Sequence, residues 1–189
     1  MSFIDQILAS IRSQNHQPHS VTDFAFTCST CGERHEGLMD LATSGPAPWV
    51  SSDETTRAKE FKKSDDLCVW NDEHYFVRGV LPIPVLGLDD CFCFGVWSSL
   101  SRENFRLYID HWKDDKAHKL GPWFGWFSNS LKGYQETLNL KCQVHPQKDG
   151  QRPQIELEPT DHPLAVEQRD GITVERLLDI YANNNHRPS

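Results

Sequence analysis

The stretch Cys28-Ser-Thr-Cys31-Gly32 is the one local arrangement in this chain with a defined chemistry behind it. Two thiolates three positions apart, followed by a glycine that lets the backbone fold back, make half of a tetrahedral zinc site. The usual signature of a structural site is two such pairs, and this chain has one. Cys91-Phe-Cys93 has the wrong spacing for a second turn and puts both thiols on a strand face. The missing half must therefore come from single residues. His35 sits four positions after Cys31, where the chain returns past the turn, and Cys68 has the polar neighbours Asp65 and Asp66. His74 and His162 are weaker choices. The expected metal set is Cys28, Cys31, His35 and Cys68, holding zinc in a structural role, because sulfur-rich sites are usually closed. The alternative is a reduced turn without metal.

A second constellation runs from Arg152 to Gln168. Arg152, Asp161, His162, Glu167 and Gln168 can converge as an acid–base cluster, with Asp161 or Glu167 orienting the His162 imidazole for hydrolase-type chemistry. The simpler account makes Asp161 a cap, lets His162-Pro163 end a strand and pairs Glu167 with an arginine. A third feature is the block Phe92–Phe127, which contains half of the chain's aromatic rings. Core packing is its default use, since a chain with 38% hydrophobic residues needs those rings to build an interior. No phosphate-cradling glycine loop, H-E-x-x-H helix, G-x-S-x-G elbow or deaminase zinc pairing is present. The sequence leans away from an enzyme.

The elements that must position these residues follow from periodicity and turn chemistry. Phe3, Ile4, Ile7, Leu8 and Ile11 fall at helical spacing, so residues 1–20 read as an amphipathic helix with a polar linker. Phe24–Cys28 and His35–Leu41 flank the cysteine turn as short strands. Ser51 with Glu54 predicts a charged helix over Asp53–Lys63. Leu67–Trp70 and His74–Val80 form a hairpin, and Leu81-Pro-Ile-Pro84 is expected to stop it, because neither proline can donate to a ladder. Cys91–Leu100 alternates as a strand and Arg102–Lys113 carries an apolar stripe. Gly121–Phe127 is too glycine-broken for a long element. Thr137–Val144 and Gln154–Glu158 make a second hairpin, and helices follow Pro163 and Thr173. Residues 21–182 are expected to form a single domain and 183–189 a frayed polar tail. Hairpins alternating with isolated helices indicate an α+β fold with a mainly antiparallel sheet.

Charge and composition limit the partners. The net charge of −8 argues against a nucleic-acid backbone and leaves room for a basic protein. The first residues have no basic start before an apolar core, and no window approaches the roughly 18 apolar residues of a membrane span. The expected setting is cytoplasmic, with six cysteines as reduced thiols or metal ligands.

With these segments laid out, the chain resembles an uncharacterised bacterial family known as a domain of unknown function. The similarity covers most of Phe26–Ile180. It rests on Cys28-x-x-Cys31-Gly-x-x-His35, Asp66-Leu-Cys68, Phe76-Val-Arg-Gly79 with Leu-Pro-Ile-Pro, and Gly95-Val-Trp97-x-x-Leu-Ser. Phe124-Gly-Trp-Phe-Ser-Asn129, Arg152-Pro-x-Ile-Glu-Leu and Thr160-Asp-His-Pro-Leu-Ala-x-Glu-Gln168 complete it. The resemblance implies a bacterial setting and brings no activity. The expectation carried forward is a non-catalytic protein that binds a partner, in one version an immunity protein blocking a basic toxin by electrostatic steering.

Overall fold

The alternation of large apolar residues along the two longest strands builds the interior. The computed structural model describes residues 24–112 and 116–187, so the amphipathic helix and linker expected over residues 1–20 lie outside the described residues. Strands β6 (His74–Pro84) and β7 (Cys91–Leu100) pair antiparallel in unbroken register from Tyr75↔Leu100 to Pro84↔Cys91. On one face Val77, Leu81, Ile83, Phe92, Phe94 and Val96 are buried in the main core. On the other, Phe76 and Trp97 join Cys68 in a smaller cluster flanked by Phe61 and Trp70.

The remaining strands attach to this pair. Strand β3 (Leu41–Ala42) runs parallel to β7 at Phe94 and Gly95, and β4 (Phe61–Lys63) pairs with β5 (Leu67–Trp70), which pairs with β6. Beyond them β8 (Trp123–Trp126), β9 (Lys141–His145) and β10 (Gln154–Leu157) form an antiparallel run that meets β6 through Gln154↔Val80. A separate two-stranded sheet holds β1 (Ala25–Thr27) and β2 (Arg34–Glu36). Among the described residues five short α-helices flank the sheets: α1 (Ala47–Ser51), α2 (Glu54–Glu60), α3 (Arg102–Trp112), α4 (Pro163–Asp170) and α5 (Val174–Asn183). The fold is α+β, with a mainly antiparallel sheet and an N-terminal hairpin.

Two local expectations change, and the glycine-broken segment forms only a four-residue strand. The proline run does not end β6, which continues to Pro84. Val80 N–H donates away from β7, to Pro153 O at 2.9 Å, and Leu86 N–H donates to Ile172 O at 2.7 Å. Pro82 and Pro84 share that parity, so their missing donors face the side where pairing with β10 has already ended. The expected helix over Asp53–Lys63 stops at Glu60, because Phe61–Lys63 are taken up as β4. Its cap is Asp53, whose Oδ1 accepts from Thr56 N–H at 2.8 Å, and not Ser51. The glycine-broken aromatic stretch is strand β8, and Gly125 lets it cross β7: a Cβ there would lie 2.3 Å from Ser98 Oγ and 2.4 Å from Ser99 O. Beyond that contact Ser98 bridges Phe127, and Ser128 N–H donates to Trp97 O at 2.8 Å.

Gly79 marks a second tight seam of the core. A Cβ on it would meet Ile155 Cγ1 at 2.6 Å and the Pro153 carbonyl oxygen at 2.7 Å. Backbone cannot retreat as a side-chain tip can, so Gly79→Ala should destabilise the fold by about 1–3 kcal/mol. Urea unfolding will show this as a lower midpoint, and an unchanged midpoint would mean that β10 is not seated against β6 as described.

Candidate metal centre

The geometry of the cysteine turn starts with its own hydrogen bonds. Cys28 N–H donates to Glu33 O and Gly32 N–H to Cys28 O, both at 2.8 Å, with Gly32 at a φ of 76°. That closes the turn between β1 and β2 and brings Cys31 beside His35, with Sγ and Nε2 3.4 Å apart. The hairpin is seated on α5 by rings. Phe26 stacks on Tyr181 at 5.3 Å, and the His35 ring lies 5.0 Å from Phe26. Tyr181 is itself pinned, its hydroxyl oxygen accepting from Met39 N–H at 2.9 Å.

The end of α5 then delivers a residue that the periodicity did not single out. Asn185 takes a left-handed φ of 67°, Asn185 N–H donates to Ala182 O, and His186 N–H donates to Tyr181 O. These are the two bonds of a Schellman cap, and they turn the chain back over the helix end. The expected frayed tail is thus hydrogen-bonded as far as Arg187, whose carbonyl accepts from both Ser29 N–H (2.7 Å) and Ser29 Oγ (3.1 Å). His186 arrives at the knuckle, its ring edge-on to His35 at 5.6 Å.

The result is one ligand atom from each of Cys28, Cys31, His35 and His186, all within 4.8 Å of one another. Tetrahedral zinc, with bonds of about 2.3 Å to sulfur and 2.0–2.1 Å to nitrogen, sets its donors somewhat under 4 Å apart. The four need only a small closure to reach that. A further observation fits a metal: His186 Nδ1 is shut off from water and has no hydrogen-bond partner. An imidazole nitrogen in that condition costs free energy unless something binds it. The two-sulfur, two-nitrogen set suits zinc.

Electrostatics favour thiolate at one member of the group. Cys28 has no exposed surface, yet its pKa is lowered from 9.0 to about 6. The main cause is the Cys31 backbone N–H, which outweighs burial, with further help from Thr30 N–H and the Cys31 and His35 side chains. Burial moves other thiols the opposite way, lifting Cys68 and Cys142 to about 11 and Cys93 to about 12.

Cys68, expected as the fourth ligand, is not in the group. It lies on β5, packed with Phe76 and Trp97, because its strand alternation turns the thiol into that apolar cluster and leaves Asp66 to pair with Arg152 at 2.6 Å. His74 is exposed against the Trp70 ring. His162 caps α4: its Nδ1 accepts from Leu164 N–H at 3.1 Å, so Nε2 carries the proton toward the Gln135 and Glu136 carbonyls. Both ring nitrogens are thereby used, and the acid–base cluster does not assemble. Glu167 accepts from Tyr134 Oη and Arg176 Nε, and Gln168 is buried between Leu157 N–H and Ile155 O. Of the expected ligands the fold brings together Cys28, Cys31 and His35. His186 replaces the fourth, and the sequence signal for it was the asparagine run after the last helix, since asparagine is a common left-handed helix terminator.

A family model for an uncharacterized protein conserved in bacteria (DUF2199) matches residues 27–172. The chain belongs to that family. The DUF2199 match takes in Cys28, Cys31 and His35 and ends before His186. No curated protein and no solved structure matches the chain.

In metal-free protein the Cys28 thiol should ionise with a midpoint near pH 6, followed by thiolate absorbance with Cys31→Ser as background. Its folded pKa lies below the unfolded one. The stabilisation is therefore complete above about pH 9 and is lost as pH falls through about 6. A midpoint at the ordinary thiol value would contradict the hydrogen bonding described for this turn.

Proposed function

We propose that this member of the family is a non-catalytic bacterial protein that binds another protein, with its fold stapled by a structural zinc at Cys28, Cys31, His35 and His186. The observation that carries the metal is the convergence of these four donors within 4.8 Å, beside a buried His186 Nδ1 that has no hydrogen-bond partner. Two sulfurs and two imidazoles complete a tetrahedron and leave no position for a reacting water. The zinc therefore serves architecture, and its reduced thiolates fit a cytoplasmic setting.

The binding role draws on charge and on one exposed surface. The chain carries a net charge of −8, which steers a basic partner toward it. Phe124 and Trp126 point to the same side of β8, stand edge-on at 5.1 Å and are each 42% exposed. Rings held open to water on a rigid strand are the kind of anchor that dominates protein interfaces. A basic toxin neutralised by this chain is the specific version of the reading. Among the described residues no helix is long and apolar enough to cross a membrane.

Protein purified without added metal should contain about one zinc per chain. Cys28→Ser and His186→Ala should each weaken binding by more than the about 10- to 100-fold that outer-shell changes cost. Cys68→Ser should leave zinc content unchanged, and well-folded protein without zinc would end the metal reading. For the binding role, Phe124→Ala with Trp126→Ala should abolish capture of the native basic partner without lowering the melting temperature. Capture that survives the double change would move the interface elsewhere.

A further inference from the structure

The four donors are not chemically equal, and their placement has a consequence for regulation. Cys31 is exposed, and the Gly32 Cα beside it faces open space, with nothing within 4 Å of where a Cβ would stand. Cys31 is therefore the thiol of the pair that a small oxidant in solvent can reach. The Cys28 sulfur lies within 4.8 Å of it, and both belong to one closed turn. Disulfide geometry needs β-carbons about 3.5–4.5 Å apart, which a turn of this kind supplies. The other cysteines are placed differently. Cys68 and Cys142 are fully buried. Cys91 and Cys93 stand two positions apart on one strand, at about 6.5–7 Å, too far for a bond.

We infer that Cys28 and Cys31 are an oxidisable dithiol whose closure to a disulfide ejects the metal and releases the C-terminal segment from the hairpin. The inference rests on reading the four donors as a metal site, and the oxidant class is a peroxide. The Cys31 thiolate attacks one peroxide oxygen, so an S–O bond forms, the O–O bond breaks, and the leaving oxygen takes a proton to become water. The Cys28 thiolate then attacks the Cys31 sulfur: the S–S bond forms, the S–O bond breaks, and the departing hydroxide takes a second proton. Two thiolates lose two electrons, and hydrogen peroxide is reduced to two waters at the cost of two protons. His35 and His186 are left as two imidazoles, half of the original donor set.

The structural consequence is local and measurable. His186 is fixed from one side by the helix cap and from the other by the metal. Without metal, the tail is tied to the turn by the His35–His186 ring contact and the two Ser29 bonds to the Arg187 carbonyl. Ser29 N–H therefore reports tail docking, while His186 N–H, bonded to Tyr181 O, reports the cap.

The test treats zinc-loaded full-length protein with hydrogen peroxide and follows three readouts. Zinc release is read with a colorimetric chelator, the Cys28–Cys31 disulfide by peptide mass, and amide hydrogen exchange at Ser29 and His186. The expected result is release in step with disulfide formation and exchange at Ser29 at least about tenfold faster. The His186 amide should change less, and thiol reductant with zinc should reverse everything. Cys31→His, which keeps a donor but removes the dithiol, should hold zinc and resist peroxide. Zinc that stays bound in excess peroxide, release without the disulfide, a Cys31→His variant that releases zinc as fast as the parent, or unchanged exchange at Ser29 would each overturn the switch. Protein with no zinc before peroxide is added would overturn the metal reading itself.

Discussion

Between Tyr75↔Leu100 and Pro84↔Cys91 the two longest strands pair without interruption, and each face of that ladder is covered by a different set of residues. The inner face carries Leu81, Ile83, Phe92 and Phe94 and binds the main core, which extends to α4 and α5 through Leu164, Leu177 and Ile180. The outer face carries Phe76 and Trp97, which pack with Cys68, Phe61 and Trp70, and the Lys63 ammonium stands 5.3 Å over the Trp97 ring. A strand pair buried on both sides must be apolar at nearly every position, and these are. Everything that positions the hairpin at residues 25–36 is attached to this pair. Phe92 meets Tyr181 edge-on at 5.8 Å, and Tyr181 stacks on Phe26. The chain of rings leads from the centre of the sheet to the candidate metal site.

Buried amides finish the sheet where strands run out. Asn129 Oδ1 accepts from Trp97 N–H at 2.6 Å and its Nδ2 donates to Gly45 O at 2.8 Å, serving one edge of β7. Gln168 does the same for β10, accepting from Leu157 N–H and donating to Ile155 O, each at 2.8 Å. A side-chain amide has one acceptor and one donor face, so it can stand in for a residue of a missing strand. This explains why the Arg152–Gln168 stretch looks rich in functional groups yet makes no catalytic geometry. Arg152 holds Asp66, His162 caps a helix, Glu167 neutralises Arg176, and Gln168 pairs with backbone. Polar side chains in that stretch are the partners that buried backbone groups require.

Local physics made much of this legible. The Cys28–His35 arrangement spans a few residues, so spacing alone brings three ligands together, and the two long strands follow from alternation. Two kinds of information were not local. Whether Pro82 and Pro84 end a strand depends on which edge is already unpaired, and that is set by where the pairing with β10 ends, at Gln154↔Val80. Whether Cys68 or His186 completes the metal group depends on which element packs on the hairpin. The sequence offered Cys68 as a thiol with acidic neighbours, but strand parity turns it inward. It offered His186 as one residue of a polar tail, and only the left-handed Asn185 turns it back.

The dependence of the hairpin on that turn follows from its size. A two-stranded sheet of three-residue strands is marginal in water, and β1–β2 pairs with no strand of the larger sheet. Along β1 and β2 the burial is almost all at Phe26, with His35 half-buried beside it. One ring stacked on Tyr181 contributes a few kcal/mol at most, of the order of a buried aromatic side chain. Ordering the turn costs about 1–2 kcal/mol for each residue fixed, so ring stacking alone does not cover a loop of this length. A metal held by residues from both ends of the described chain would change that balance, because it would tie the hairpin to α5 as well as to itself. The Schellman cap is what makes such a bond possible without strain elsewhere. It places His186 before any metal arrives, so binding has less disorder to remove than if four ligands had to be gathered from a loose tail.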